Sequence, residues 1–382
     1  MTEMDTNDRE SNEVVLKRTP LDPCYPDGLE TEWIDVYGYA VPLFVSDPET
    51  EYGAFREHVG IIEYSMLFKW DLRGPGAKAV ANAVYTRELA KVPSGKIVYG
   101  AVVNADGFML DDATVTVYSD EHVMLMGGNA GLGDVLRAAL TDGVELTERR
   151  EEFVVASVQG PKSRTLLQRL TDTDLSNEAF PYYTFKENVQ LSGIPVQINR
   201  IGYTAELGYE VMAPIDRAVE LHAALTEAGA DLGVQLCGAI ALMMCRTEAG
   251  MVMGEVDYDH TVTPFECRLG WAVDLEKDAF LGREALLAKK DGVTNRTVSI
   301  RVDGDFEGLD GAAVSREGNV VGSMSMVVPS PVLGGATLGL ARIHRDSAKP
   351  GTKVIVAAPD GPREAEVIAT PVYDPERTRV HS

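Results

Sequence analysis

The chain has 382 residues, of which 45% are hydrophobic and 25% are charged, which is enough apolar material for two or three domains. Its formal net charge of −24 argues against a nucleic-acid backbone or an anionic membrane surface as partner, because both would repel it. The four cysteines form no C-x-x-C pair and show no zinc-like spacing with His, so we expect neither a disulfide framework nor a structural metal.

The beginning of the chain has the composition of a disordered segment. Residues 1–28 combine charged side chains, Asn and Ser with three prolines, and they carry too little apolar surface to fold alone. We therefore predict a flexible N-terminal arm over residues 1–28. Residues 1–17 contain no apolar run of the signal-peptide kind, and no segment approaches the roughly 18 uninterrupted apolar residues of a membrane span. We expect a cytoplasmic protein that contacts neither membranes nor nucleic acids.

From Trp33 onward, short strands alternate with amphipathic helices. This alternation predicts an α+β fold. The strands predicted in the first half are residues 70–73, 96–103, 113–118 and 122–126, with helices at 77–84 and 133–140. A second unit contains strands at 154–158 and 196–200 and helices at 162–170, 216–228 and 239–249.

The last part of the chain has a different pattern. A polar stretch at 289–295 indicates a linker, and turn residues separate the short apolar runs that follow it. This spacing predicts a small terminal β-barrel or sandwich. The predicted strands are residues 298–302, 320–322, 337–343 and 353–357. We place the domains at residues 29–150, 151–285 and 292–375.

Two adjacent acids, Asp111 and Asp112, stand directly before the predicted strand at 113–118 and directly after apolar residues. Neighbouring residues of a strand face opposite sides, so one carboxylate points inward, where an apolar pocket raises its affinity for a proton. Such a group suits acid/base chemistry on an amine. A turn carboxylate bonded to backbone amides is an equally supported alternative.

Two glutamates, Glu206 and Glu210, lie in the run Gly-Tyr-Thr-Ala-Glu-Leu-Gly-Tyr-Glu at residues 202–210. The glycines allow a tight turn and the tyrosines can cover a flat ring, so a carboxylate here could accept the two parallel N–H donors on the edge of a pterin. Arg246, at the end of an apolar helix, would be costly to bury alone and implies an anionic partner. An internal salt bridge is the alternative, which the residue pattern alone favours.

Two other patterns fail as ligand sites. The glycine loop at 127–133 lies between a strand and a helix, but its glycines do not follow the G-x-G-x-x-G order of a dinucleotide site. The acidic stretch at 255–260 alternates carboxylates with other residues, yet it lacks the glycine that a calcium loop needs at its sixth position. We therefore expect solvated carboxylates there and no metal site.

Three further segments complete a recognisable set: Val-Gln-Gly-Pro at 158–161, Phe-Leu-Gly-Arg-Glu-Ala-Leu at 280–286 and Ser-Pro-Val-Leu-Gly at 330–334. With the acidic pair and the 202–210 run, they make the chain resemble the glycine-cleavage T-protein family of tetrahydrofolate-dependent one-carbon transferases, from about Trp33 to about Thr370. The resemblance implies a three-domain ring with folate in a central channel, its pterin deep and its glutamate tail outward. The segments 29–150 and 151–285 then form two parts of the folate-binding domain.

The resemblance also implies roles for single residues. Asp111 corresponds to the acid near folate N5 and N10 that assists transfer, and Asn129 corresponds to an asparagine beside it. Glu206 corresponds to the pterin-edge carboxylate of the glycine-cleavage enzymes, and Glu210 to a carboxylate of the same strand in the demethylase branch. Arg246 corresponds to an arginine near the bound cofactor.

Three aromatic residues complete the expected site. Tyr64 and Tyr203 join Asp111 as candidates for proton handling, although a lone tyrosine is more often a packed residue with a bonded hydroxyl. Trp271 lies in a Leu-Gly-Trp segment similar to the family's Gly-Trp, and we expect it to bind the cofactor.

The chain departs from the glycine-cleavage enzymes in one segment that matters for the donor. Residues 63–67 read Glu-Tyr-Ser-Met-Leu where those enzymes usually carry Asp-Val-Ser-His-Met. This departure favours the demethylases of the family, which load a methyl or methylene group from a small or aromatic donor onto tetrahydrofolate. One alternative is the glycine-cleavage aminomethyltransferase, whose donor is a lipoyl carrier protein. Another is a non-catalytic folate-binding protein, although the Lys-Gly-Cys-Tyr-x-Gly-Gln-Glu motif of such relatives is absent.

Overall fold

The structure is a computed structural model that describes residues 15–382. Within them the chain forms four β-sheets, one of them a closed barrel, and seven α-helices. The helices are α1 Pro48–Glu57, α2 Ala77–Val84, α3 Gly131–Ala138, α4 Ser163–Gln168, α5 Ala218–Ala228, α6 Ala239–Glu248 and α7 Arg283–Lys289. The strands are β1 Lys17–Arg18, β2 Trp33–Val36, β3 Tyr39–Pro42, β4 Val59–Glu63, β5 Phe68–Arg73, β6 Lys96–Val103, β7 Met109–Ser119, β8 His122–Gly127, β9 Glu145–Glu148, β10 Phe153–Gln159, β11 Phe185–Leu191, β12 Ile194–Asn199, β13 Gly208–Pro214, β14 Val234–Leu236, β15 Asn295–Val302, β16 Ala313–Arg316, β17 Asn319–Ser330, β18 Ala336–His344, β19 Lys353–Ala358 and β20 Gly361–Ile368.

The three larger sheets each have an apolar core of their own. The six-stranded sheet has the order β11-β12-β13-β10-β4-β14 and packs against α4 and α5. The five-stranded sheet has the order β6-β7-β8-β5-β9 and packs against α2 and α3. The closed barrel runs β15-β18-β17-β16-β19-β20 around its own apolar interior. A further apolar cluster joins α1 and α6 to the six-stranded sheet, the five-stranded sheet and the barrel. Helix α6 therefore lies where these three units meet.

The two central helices form for local reasons that the sequence carries. Asp47 caps α1 by accepting the N–H of Thr50 at 2.9 Å, and Pro48 occupies the first helical position, where a missing N–H costs nothing. In α6, apolar residues occupy nearly every face, which is the pattern of a helix buried on all sides. This burial explains how α6 can contact three separate units.

The α+β class and the barrel at the end of the chain are confirmed. The four strands predicted there lie within β15, β17, β18 and β19, while β16 and β20, which close the barrel, were missed. In β20 the charged residues Arg363, Glu364 and Glu366 interrupt the apolar ones, so the strand carries only a weak apolar signal. In the five-stranded sheet, β7 begins at Met109 rather than at residue 113, which puts Asp111 and Asp112 inside a strand.

The structure corrects the predicted arm for residues 17–24. Strand β1 pairs in parallel with β3, and Leu21 is fully buried in the core of the six-stranded sheet. The backbone N–H of Leu21 donates to Glu63 at 3.2 Å. The segment has few apolar residues of its own, but the rest of the fold supplies the surface against which Leu21 packs. Residues 1–14 lie outside the described residues.

The predicted domain boundaries stay predictions. Strand β4, from the 29–150 segment, pairs with β10 of the 151–285 segment, so the two segments share the six-stranded sheet. All six barrel strands fall within the 292–375 segment. Among residues 15–382, no helix has the length and apolar content needed to cross a membrane.

Candidate functional site

A cavity of about 1300 Å³ opens where the six-stranded sheet, the five-stranded sheet, α6 and the barrel meet. Its wall includes Asp111 from β7, Glu210 from β13, Met243 from α6 and Val327 from β17. The segment after the barrel adds Tyr373. This volume exceeds the roughly 300–1,000 Å³ of a typical small-molecule site, so it has room for a large ligand.

Asp111 lies in the wall with its carboxylate almost fully buried, at 3% exposure. The backbone N–H groups of Gly128 and Asn129 donate to its two oxygens at 3.3 and 3.1 Å. Burial, with a smaller contribution from the charge of Asp112, raises the pKa of Asp111 well above its ordinary value. The carboxylate therefore points inward and is bonded to backbone amides, although it lies within β7 and not in a turn.

The glycine loop after β8 forms the seat of this carboxylate. A Cβ at Gly127 would overlap a carboxylate oxygen of Asp111, and a Cβ at Gly128 would overlap the hydroxyl of Tyr37. These glycines are thus explained by close approach rather than by a nucleotide phosphate. Asn129 contributes its backbone N–H, whereas its side-chain oxygen accepts the N–H of Gly131 at 2.8 Å, at the start of α3.

Asp112 faces the other side of β7. The hydroxyl of Tyr99 donates to one of its oxygens at 2.8 Å, and the hydroxyl of Tyr258 donates to the other. Burial raises the pKa of Asp112, and these two hydrogen bonds lower it again. Both acids belong to the cavity wall, and they differ in their partners: side-chain hydroxyls bind the oxygens of Asp112, whereas backbone N–H groups bind those of Asp111. Sequence reasoning missed Tyr258, which lies 146 residues from Asp112.

Glu210 and Tyr64 present unpaired polar atoms at the cavity wall. Glu210 is 5% exposed, and its Oε2 atom has no hydrogen-bond partner among residues 15–382. Burial raises its pKa to about 7, while Lys69 and Asn199 act to lower it. The hydroxyl of Tyr64 is also buried without a partner in the described chain, and burial raises its pKa. A buried polar atom left unpaired costs roughly 1–3 kcal/mol, so a ligand that pairs these atoms is stabilised.

The structure corrects the pterin-edge assignment of Glu206. Its carboxylate lies 3.5 Å from Arg56 and accepts the hydroxyl of Tyr373, and it is not among the residues of the cavity wall. Arg56 also donates to the carbonyl of Thr204 at 2.6 Å and to the carboxylate of Glu248 at 2.8 Å. Glu206 is thus held in a buried ion-pair network behind the site, and Glu210 is the glutamate of this run that reaches the cavity.

Arg246 likewise lies behind the wall rather than in it. It is fully buried, pairs with Asp257 and donates to the carbonyl of Met251 at 3.1 Å. The internal salt bridge that the sequence favoured is present, and Asp257 is not free for a metal. Glu255 and His260 stay mostly exposed, 3.9 Å apart. Within the described chain, no three His, Cys, Asp or Glu side chains are grouped to hold a metal ion.

Tyr203 and Trp271 both line the cavity. The hydroxyl of Tyr203 donates to the carbonyl of Val252, so its proton is already committed. Trp271 is 60% exposed, and its ring centroid lies 6.1 Å from that of Tyr99. Two guanidinium groups, Arg268 and Arg377, belong to the same wall and can attract an anionic group.

The segment at residues 63–67 forms another part of the wall. Glu63, Tyr64, Met66 and Leu67 all line the cavity, whereas Ser65 turns away and accepts the N–H of Val155 at 3.0 Å. The residues that depart from the glycine-cleavage enzymes are therefore the ones that a ligand would meet.

Comparisons with known proteins agree with this architecture. The family model described as "GCVT N-terminal domain" matches residues 27–277, and the one described as "Glycine cleavage T-protein C-terminal barrel domain" matches residues 295–374. The chain is 30% identical over 364 residues to "Aminomethyltransferase" of Geobacillus sp. (strain WCH70), covering 94% of this chain and 99% of that protein. It is 30% identical over 353 residues to "Trimethylamine-oxide aldolase" of Ruegeria pomeroyi, covering 89% of this chain and 45% of that protein. The crystal structure of the glycine cleavage system aminomethyltransferase T from Bartonella henselae has the same fold, with a TM-score of 0.84 at 22% identity over 94% of this chain and 99% of that one.

Proposed function

Because the chain belongs to the glycine cleavage T-protein family, whose enzymes are tetrahydrofolate-dependent transferases, we propose that it is a one-carbon transferase of the demethylase type. It moves a methyl or methylene group from a small or aromatic donor to tetrahydrofolate. The observation that carries this choice is the wall segment at residues 63–67, which departs from the glycine-cleavage pattern and faces the cavity. Because these cavity-lining residues differ from those of the glycine-cleavage enzymes, they support a donor different from the one that those enzymes use.

The residues of the cavity fit a reduced folate. The unpaired Oε2 of Glu210 is an acceptor for the donor edge of a pterin, and the unpaired hydroxyl of Tyr64 can pair with a second polar atom of the ring system. Trp271 supplies an exposed aromatic face at the cavity wall. Arg268 and Arg377 suit the carboxylates of the glutamate tail.

The chain itself contributes position and a proton. Tetrahydrofolate, when bound, supplies the nitrogen that accepts the one-carbon group. The cavity holds this acceptor and the donor together, and such positioning contributes roughly 7–11 kcal/mol to a transfer reaction. Burial raises the pKa of Asp111 and so favours its protonated form, which gives a proton to the leaving atom of the donor as the bond between that atom and the transferred carbon breaks. The acceptor nitrogen loses a proton as its bond to that carbon forms, and Asp111 regains it, so the protons balance for each bond exchanged; general acid catalysis of this kind contributes about 10²- to 10⁴-fold.

The test is incubation of the protein with tetrahydrofolate and a panel of N-, O- and S-methylated donors. The product is followed by mass, which separates 5-methyl from 5,10-methylene folate. Asp111→Asn is expected to keep tetrahydrofolate affinity and to lose turnover by about 10²-fold or more, because the amide has no acidic proton to give. Asp106→Asn, at an exposed acid in the preceding turn, is the matched control. An unchanged rate in Asp111→Asn would remove this residue from the mechanism.

A second candidate function is the aminomethyltransferase reaction on a carrier protein. It is favoured by relatives of that name that match along nearly their whole length. Release of ammonia from an aminomethylated lipoyl carrier, with no turnover of free methylated donors, would select this reaction. Tetrahydrofolate binding without turnover in either assay would select the non-catalytic alternative.

A further inference from the structure

A line of buried polar side chains runs behind Glu210 and links it to the five-stranded sheet. The hydroxyl of Tyr118, on β7, donates to the side-chain oxygen of Gln197 at 2.8 Å. The amide nitrogen of Gln197 donates in turn to the side-chain oxygen of Asn199 at 2.8 Å. Asn199 lies directly opposite Glu210 in the pairing of β12 with β13. Gln197 and Asn199 are only 8% and 3% exposed, so the chain of contacts is shielded from water.

The hydrogen bonds of this line run in one direction. Gln197 presents its oxygen to the hydroxyl of Tyr118 and its NH₂ to Asn199. The oxygen of Asn199 accepts that N–H, so its NH₂ is the group left for Glu210, which lies opposite it across the strand pair and whose pKa it lowers. An NH₂ group favours an ionised carboxylate, whereas a reversed line would present an amide oxygen, which only a protonated carboxyl group tolerates.

The ring of Tyr118 is held in place independently of this line. It stacks on His122 with ring centroids 4.0 Å apart and meets the edge of Phe185 at 5.0 Å. The hydroxyl therefore keeps a fixed position at the far end of the line.

We propose that Gln197 and Asn199 are positioning residues, which hold Glu210 as an oriented, ionised acceptor so that the cavity reads the two-donor edge of a pterin. This inference rests on the proposed function. Glu210 is the group that touches the ligand, and the two amides act through it. Truncating the line should therefore alter the ionisation of Glu210 before it alters the fold.

The other titratable groups around Glu210 come from neighbouring elements. Lys69 on β5 lowers the pKa of Glu210, and Tyr64 is close enough for the charge of Glu210 to raise its pKa. The charged groups around Lys69 are Glu63, Glu148 and Arg150. None of them is changed by a substitution in the line, so a shift in Glu210 after such a substitution reports on the amides.

The experiment follows Glu210 by isotope-edited infrared or carbon NMR spectroscopy of ¹³C-carboxyl glutamate, assigned with Glu210→Gln. The wild-type midpoint is expected near pH 7. Asn199→Leu removes the last donor and should raise this midpoint by about one pH unit, which is about a tenfold change in ionisation at fixed pH. Tyr118→Phe, which removes only the hydroxyl, should shift it in the same direction by less, and it serves if Asn199→Leu does not fold. Gln168→Met, which removes an exposed amide bonded to Thr171 and Thr173, is the control.

Tetrahydrofolate affinity, measured by calorimetry across pH, is the second readout. In Asn199→Leu it should fall about fivefold at pH 7, because the ionised fraction of Glu210 drops from about one half to about one tenth, and return to near the wild-type value at pH 9, where Glu210 is ionised again. An unmoved midpoint, or an affinity that falls equally at every pH, would overturn the proposal and leave a merely structural role. A shifted midpoint in a protein that never binds tetrahydrofolate would instead overturn the proposed function.

Discussion

Glu210→Gln should make the protein more stable while it weakens the site. The pKa of Glu210 is about 7 in the folded chain, against an ordinary 4.5. Burial therefore makes the folded state prefer the protonated form. Between pH 4.5 and 7 the folded state binds more protons than the unfolded state, so the stability of the wild type falls as pH rises through this window. Above pH 7 the loss is complete.

The size of this loss follows from the same two pKa values. A difference of roughly 2.5 pH units, at 1.36 kcal/mol per unit, gives about 3 kcal/mol at pH 8 and less than about 1 kcal/mol at pH 5. Glutamine has a similar shape and does not titrate, so Glu210→Gln should recover up to about 3 kcal/mol at pH 8 and little at pH 5. The same substitution removes an ionised acceptor from the cavity wall, and tetrahydrofolate affinity should fall at least about tenfold.

Urea unfolding of both proteins at pH 5 and pH 8 measures the difference, and calorimetry with tetrahydrofolate measures the affinity. Glu227→Gln, at an exposed position of α5, controls for the loss of one negative charge from a chain of net charge −24. We argue that ionising the buried Glu210 lowers the free energy of unfolding. This would be refuted if the stability difference between Glu210→Gln and the wild type were the same at both pH values, or if Glu210→Gln were less stable than the wild type at pH 8.

Two other substitutions test the surroundings of the site. Gly127→Ala places a Cβ on the carboxylate of Asp111 and should lower turnover by about 10- to 100-fold with little change in tetrahydrofolate affinity. Gly53→Ala is the control, because a Cβ there meets open space, and it should leave turnover unchanged. Equal losses of turnover in the two variants would contradict the explanation that the Gly127 Cβ displaces Asp111. Arg56→Met leaves the buried carboxylate of Glu248 without its guanidinium partner, so the free energy of unfolding in urea should fall by about 3–5 kcal/mol. A fall of less than about 1 kcal/mol would show that the fold does not need this ion pair.

The chain pattern was sufficient for the fold class and the terminal barrel, and for the expectation that one acid of the pair at 111 and 112 points inward. Each depends on local information: turn residues between short apolar runs, or an acid at a strand. The alternation of a strand also explains why one member of the acidic pair turns inward and the other is bound by tyrosines.

The choice between Glu206 and Glu210 could not be made in the same way. Glu206 lies in a turn where Ala205 has a positive φ of 61°, and regular alternation begins only with β13 at Gly208. Periodicity therefore says nothing about the direction of Glu206, and its true partner, Arg56, is 150 residues away in the sequence. Arg56 itself carries no local signal, because its role depends on long-range partners. Local sequence patterns therefore miss residues such as Arg56, which support the site through contacts with residues distant in the sequence.

Asp111 and Glu210 are two of the buried carboxyl groups of the cavity wall, and under the proposed function they offer different chemistry although burial raises the pKa of both. Asp111 accepts a backbone N–H at each oxygen, which holds the carboxyl group in place, and because burial raises its pKa it offers a proton to a ligand. Glu210 has an oxygen without a partner in the described chain, so what it offers is an acceptor. A ligand that pairs this acceptor also removes its cost of about 1–3 kcal/mol, and ligand binding should stabilise the wild type more than Glu210→Gln. The different roles proposed for Asp111 and Glu210 thus depend on their hydrogen-bond partners, since both side chains are buried.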